Sequence, residues 1–246
     1  MTGILDRVAR SSSHAHRTQF RPTTANEFFA LRLAQRLHEP SAAQHYADLL
    51  ERHSLAQLLI AFRRAQTSGS HLDLARSFHV ELGRLAGRNG NGASTRRLAA
   101  IRIERRAVAV AILSGEHLQY APLVRQLSSD SDKAIGSAAA FISRILAKCP
   151  FKTAALETLP EGEEVQRTAL MQTIQRVLSE QAVGIWQTSK QDILAAFGHP
   201  PLRFRKQVRE VVSSIWPDIN GGFGSPLIKD ALALGLYCQT EYLFNL

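Results

Sequence analysis

The stretch Leu98-Ala-Ala-Ile-Arg-Ile-Glu104, continuing through Arg105-Arg-Ala-Val-Ala-Val-Ala-Ile-Leu-Ser-Gly115, decides the fold. Ala99, Ile101 and Ile103 alternate with Ala100, Arg102 and Glu104, the period of two that marks a strand. Val108, Val110 and Ile112 continue it, and Ser114-Gly115 predicts a hairpin turn. Two further strands are expected at 117–121 and 123–127. Asp130, Ser131 and Asp132 supply start signals for a helix over 133–148, which Pro150 ends. Beyond it the pattern predicts a strand at 152–157, a helix at 163–181, a strand at 183–187, helices at 189–197 and 205–215, and a last helix from Ser225-Pro226 to about 243. Sequential strands followed by alternating strand and helix predict an α/β fold: a mixed five-stranded sheet flanked by helices.

Upstream the pattern is different. Residues 88–97 read as a linker, because Gly87-Arg-Asn-Gly-Asn-Gly-Ala-Ser-Thr95 breaks helix and strand periodicity alike. Residues 25–87 predict three or four short amphipathic helices, the first capped by Asn26, and so a small all-helical, Arg-rich domain. Residues 1–24 read as a flexible basic arm. The expected organisation is therefore arm, helical domain, linker, and an α/β domain over 98–246.

Charge separates the two halves. Residues 1–97 hold 14 Arg and no Lys against 7 acids, whereas residues 98–246 hold 16 basic and 14 acidic residues. The whole chain carries +9. Such a balance predicts an anionic partner, nucleic acid before membrane. No apolar run is long enough to span a bilayer, and the first residues lack the apolar stretch of a signal peptide. With only Cys149 and Cys238, a disulfide framework or four-cysteine zinc site is excluded, and a cytoplasmic setting is expected. No Walker-type phosphate loop occurs, and His14-x-His16 lacks a third ligand on a helix.

Three acids stand where the predicted order would bring them together. Glu104 lies in the first strand, Glu157 ends the fourth, and Asp230 lies early in the last helix. Sites in α/β sheets gather beyond the carboxyl ends of strands. Acids converging there can hold one or two Mg²⁺ ions that activate water for phosphodiester cleavage.

Residues 98–243 resemble the RuvC-like Holliday-junction resolvases of the RNase H-like superfamily. The segments that carry the resemblance are Ile101 to Gly115, Ala154-Ala-Leu-Glu157, Ile185-Trp-Gln-Thr-Ser-Lys190, Arg203-Phe-Arg-Lys-Gln-Val-Arg209 and Leu227-Ile-Lys-Asp-Ala-Leu-Ala-Leu-Gly235. The resemblance implies an RNase H-like fold and a metal-dependent endonuclease acting on branched or structured DNA, DNA being favoured over RNA. It implies Mg²⁺ or Mn²⁺ held by Glu104, Glu157 and Asp230 as catalytic residues, and a homodimer. It also implies DNA-backbone contacts at Lys190, joined by the basic cluster Arg203, Arg205, Lys206 and Arg209.

The chain departs from the family pattern in two places. The first acid is Glu104 followed by Arg105 and Arg106, either of which could pair with it, and Leu227 stands where the last helix usually carries a further acid. These departures motivate the alternative: a noncatalytic nucleic-acid-binding or protein-interaction module with a degenerate acidic site. Phe204, between two arginines, is expected to anchor its loop.

Overall fold

The structure is a computed structural model that describes residues 20–68, 74–85, 97–114, 117–160, 162, 164–221 and 226–245. Most of the expected arm, nearly all of the expected linker, and Gly115 and Ser225 lie outside the described residues.

Three strands open the α/β region: β1 (Arg97–Glu104), β2 (Ala107–Ser114) and β3 (His117–Gln126). Helix α5 (Ser131–Lys148), strand β4 (Thr153–Glu157), helix α6 (Val165–Glu180) and strand β5 (Gly184–Thr188) follow. The chain then forms α7 (Lys190–Ala196), α8 (Arg205–Ile215) and α9 (Pro226–Asn245). The sheet order is β3-β2-β1-β4-β5. Strands β1, β2 and β3 pair antiparallel, while β4 runs parallel to both β1 and β5. The mixed five-stranded sheet flanked by helices is the one expected.

Two local expectations differ. The strand pattern running from Leu98 to Ile112 is broken by a two-residue turn at Arg105-Arg106, so that Glu104 pairs with Ala107. The strands expected at 117–121 and 123–127 are one strand. Its register against β2 shifts between Val110 and Ile112, beside Pro122, which sits on an edge where a missing amide proton is tolerated.

Alternation along β1 sorts its side chains between two cores. Ala99, Ile101 and Ile103 pack with α5 and α6 residues such as Ile142, Leu170 and Ile174. Leu98 and Ala100 face the other way, toward α9. On that face Ala100, Ala109, Ala111 and Ala155 are all fully buried, and their small side chains let α9 lie close. A Cβ added to Gly235 would stand 2.4 Å from Leu113 Cδ1 and 3.0 Å from Ala100 Cβ. Arg102 and Glu104 continue this same face, two and four residues beyond Ala100.

Among the described residues, four α-helices precede the sheet: α1 (Ala25–Arg36), α2 (Ala43–Arg52), α3 (Leu55–Ser68) and α4 (Leu74–Leu85). The cap of α1 is Thr24 rather than Asn26. Its hydroxyl accepts from Glu27 N at 3.1 Å while the Glu27 carboxylate accepts from Thr24 N, a reciprocal box that a one-residue reading of the start misses. These helices share one hydrophobic cluster with α7, α8, α9 and the α9 face of the sheet. Phe28 meets Phe197 at 4.4 Å and Phe62 meets Phe244 at 5.3 Å between ring centroids. Arg32 and Arg36 both donate to the buried Glu241 of α9. Among the described residues, no helix is long and apolar enough to cross a membrane.

Candidate nucleic-acid interface

Glu104 ends β1, Glu157 ends the neighbouring parallel β4, and Asp230 lies in the first turns of α9, which packs over those strands. The three acids therefore gather at one edge of the sheet. Glu157 and Asp230 are almost wholly buried, whereas the Glu104 side chain is 45% exposed.

What lies between them is a guanidinium. Arg102 is 5% exposed and reaches all three acids. It stands 2.8 Å from Glu104 and 3.4 Å from Glu157, and its Nε is 4.0 Å from Asp230. Two further arginines arrive from α8. Arg205 donates to Glu157 and stands 4.0 Å from Asp230. Arg209 grips Asp230 with both arms of its fork, Nε at 2.8 Å and a terminal nitrogen at 2.7 Å. Three carboxylates thus face three guanidinium groups and the cluster is formally neutral.

Burial pulls the Arg102 pKa below the ordinary arginine value; the charge of Glu157 opposes this and that of Arg205 adds to it. An arginine side chain stays protonated in proteins even so. Arg209 is shifted upward, chiefly by its hydrogen bonds to Asp230. Two buried polar atoms within the cluster, Arg102 Nε and Glu157 Oε2, have no hydrogen-bond partner.

A divalent cation does not fit this donor set. Metal ligation needs carboxylate lone pairs turned to a common point and an excess of negative charge. Here one oxygen of Glu104, one of Glu157 and both of Asp230 accept from guanidinium donors, and a dication would stand among three positive charges. Among the described residues, no group of three or more His, Cys, Asp or Glu is placed to hold a metal. Asp192 is used elsewhere: it accepts from the Ser189 amide and hydroxyl to cap α7.

Sequence reasoning placed the three acids in one neighbourhood but overlooked Arg102. It also took Arg105 or Arg106 as the partner of Glu104. Adjacent strand residues point to opposite faces, whereas residues two apart share one. Arg102 is therefore the partner, and Arg105 pairs with Glu164 at 2.8 Å. The signal was present in the alternation that set Arg102 and Glu104 on one face.

The basic cluster is divided. Arg205 and Arg209, expected as backbone contacts, are turned inward to carboxylates. Arg203 and Lys206 are exposed, and so is Phe204, which is 66% accessible rather than buried as an anchor would be. Its amide and that of Arg203 donate to Gln207 Oε1, which fixes the start of α8. Lys190 is exposed at the beginning of α7 and lines a cavity of about 400 Å³ together with Arg102, Glu157, Arg167 and Arg205.

No family model and no curated protein matches the chain. Solved structures do. The chain is similar to RuvC of Thermus thermophilus, at 16% identity over 59% of this chain and 95% of that one, with a TM-score of 0.48. It is similar to T. thermophilus RuvC in complex with a Holliday junction substrate, at 14% identity over 59% and 94%, with a TM-score of 0.49. It is also similar to the yeast mitochondrial Holliday junction resolvase Ydc2, at 13% identity over 78% and 96%, with a TM-score of 0.44.

Proposed function

We propose that this chain is an RNase H-like module that binds the backbone of branched or structured DNA without cleaving it. One observation carries the proposal: the buried Arg102 stands among Glu104, Glu157 and Asp230, at the centre that hydrolysis would require for a metal. Binding is supported by the +9 charge of the chain and by the outward Arg203, Lys206 and Lys190. Such side chains hold phosphates and position a duplex without reading its bases. Branched DNA as the partner comes from the motif resemblance.

Hydrolysis is the rival reading, and the convergence of the three acids favours it. Mg²⁺ or Mn²⁺ would then have to displace guanidinium groups from Glu157 and Asp230, one of them rooted in the sheet itself.

A panel of labelled substrates (four-way junction, flap, duplex, single strand and RNA–DNA hybrid) tests the choice. The expected result is binding that weakens steeply with salt and no cutting with Mg²⁺ or Mn²⁺. Metal-dependent cutting that Asp230→Asn abolishes would overturn the proposal and restore the endonuclease.

A further inference from the structure

We infer that Phe204 is a stacking platform for an unpaired nucleobase and directs this edge of the protein to strands whose bases are open. The inference rests on the binding function proposed above and names the part of the nucleic acid that is held here.

Three large apolar side chains are exposed among the described residues: Val80, Val165 and Phe204. Single exposures of this kind are common on protein surfaces. Phe204 differs in where it stands and in how firmly it is held. It immediately precedes Arg205, whose guanidinium donates to Glu157, so it stands at the rim of the cluster at the carboxyl end of β4. Its backbone is fixed on both sides. The amide of the buried Leu202 donates to Leu194 O at 3.1 Å. The amides of Arg203 and Phe204 donate to Gln207 Oε1 at 3.0 and 3.1 Å, and Gln207 N donates to Phe204 O at 3.0 Å. Backbone groups and Gln207 thus hold this turn, while the exposed ring forgoes the gain from burial. A ring on a backbone ordered before binding loses little conformational entropy when a ligand covers it.

The flanking residues select the ligand. Within 203–206 the exposed side chains are Arg203, Phe204 and Lys206. Neither cation has an ion-pair partner among the described residues. A protein partner needs a contiguous apolar patch on the order of a few hundred Å², which one ring between two cations does not supply. A nucleotide needs a π-face for its base and a positive charge for its phosphate, and every base offers such a face. In a continuous duplex both faces of each base are covered by its neighbours. The ring therefore reaches only bases that are unpaired or looped out. Such a contact is blind to sequence but sensitive to whether the strand is open.

The test uses full-length protein in EDTA at one fixed salt concentration and two labelled DNAs. One is a duplex closed at both ends by ethylene-glycol linkers. The other is the same duplex with a central loop of unpaired bases, one of them 2-aminopurine. Affinity is read by anisotropy and stacking by 2-aminopurine fluorescence. The variants are Phe204→Ala, Phe204→Leu and Phe204→Tyr, with Val80→Ala in α4 as a control. The expected wild type prefers the looped duplex. Phe204→Ala and Phe204→Leu should each weaken that binding roughly tenfold, abolish the fluorescence change and leave the closed duplex unaffected. Phe204→Tyr and Val80→Ala should behave as wild type.

Looped-duplex binding by Phe204→Leu equal to wild type would mean that the side chain offers bulk rather than a π-face. Equal losses on both DNAs would mean that it supports backbone contacts. Either result overturns the platform. Phe204→Ala binding both DNAs as wild type does would also overturn it and leave the binding function standing; a lower sedimenting mass for that variant would then assign the ring to an interface between copies of this chain. A wild type that binds neither DNA would overturn the platform and the binding function together.

Discussion

Arg102→Met removes the charge that neutralises the acidic cluster while keeping much of the side-chain volume. Taking one partner from a buried ion pair costs about 3–5 kcal/mol, because the other charge stays behind in a poor solvent. Here the cost falls at the lower end of that range. Glu157 keeps Arg205 and Asp230 keeps Arg209, and Glu104 is exposed enough that losing its pair matters little. About 3 kcal/mol is a large share of the roughly 5–15 kcal/mol that holds a domain folded. With a urea slope near 3 kcal/mol/M, the upper part of the usual range of about 1–3, the unfolding midpoint should fall by about 1 M. The variant should also acquire a property that the wild type lacks. Of the guanidinium groups within 4.0 Å of the three carboxylates only Arg205 and Arg209 would remain, one positive charge fewer than the acids carry. Mn²⁺ at a hundred times its Kd would then return about 2.7 kcal/mol. The assay is urea denaturation of both proteins with and without Mn²⁺. An Arg102→Met midpoint matching wild type would refute the role of Arg102 as the buried counter-charge. Equal stabilisation of both proteins by Mn²⁺ would refute the claim that the guanidinium excludes the metal.

Gly235→Ala should lower the melting temperature, with a cost of about 1–3 kcal/mol from overpacking, since the new Cβ meets Leu113 and Ala100; an unchanged Tm would show that α9 can lift off the sheet at no cost. Arg209→Lys should cost about 1 kcal/mol in chemical denaturation, because lysine cannot reproduce the two-armed hold on Asp230; equal stability would mean that the fork contributes nothing. Alkaline pH should destabilise the fold. Burial, then the hydrogen bond to Glu39, raises the Tyr46 pKa above its ordinary value, and burial likewise raises Tyr237 and Cys238. For groups raised in this way the stability is complete below their unfolded pKa values and is lost as pH climbs through the folded ones. Tyr46→Phe should flatten the loss above about pH 10; an identical slope in denaturation midpoints against pH would refute that assignment.

Much of the sheet was legible because burial imposes a period on it. The α8 boundaries expected from sequence, 205–215, are those found, since a strong apolar stripe with polar flanks leaves little freedom. The turn at Arg105-Arg106 contains neither Gly nor Asn; its one mark in the sequence is a change of phase, the core-facing residues being odd-numbered up to Ile103 and even-numbered from Val108. The two strands expected at 117–121 and 123–127 are one, because an edge strand with irregular register accommodates Pro122. The meeting of Glu104, Glu157 and Asp230 could be inferred from element order, because parallel neighbours end at the same edge. Their pairing could not. It depends on which way α8 points its arginines, and so on packing against α9 rather than on any local signal.

The acids and arginines of this edge require each other, which changes what the acids mean. In a metal site a carboxylate is retained for the chemistry, and its amide counterpart folds normally. Here Asp230 holds Arg209 by two hydrogen bonds and lies within 4.0 Å of Arg102 and Arg205. Removing its charge would leave a buried positive excess, so stability alone is reason enough for a carboxylate at this position. The presence of Glu157 and Asp230 therefore does not distinguish a nuclease from a binding module. Arg102 does. It is rooted in β1, 5% exposed, and within 4.0 Å of all three carboxylates. Arg205 and Arg209, on half-buried α8 positions, could exchange a carboxylate for a phosphate; Arg102 would remain in place and keep the cluster closed to a dication.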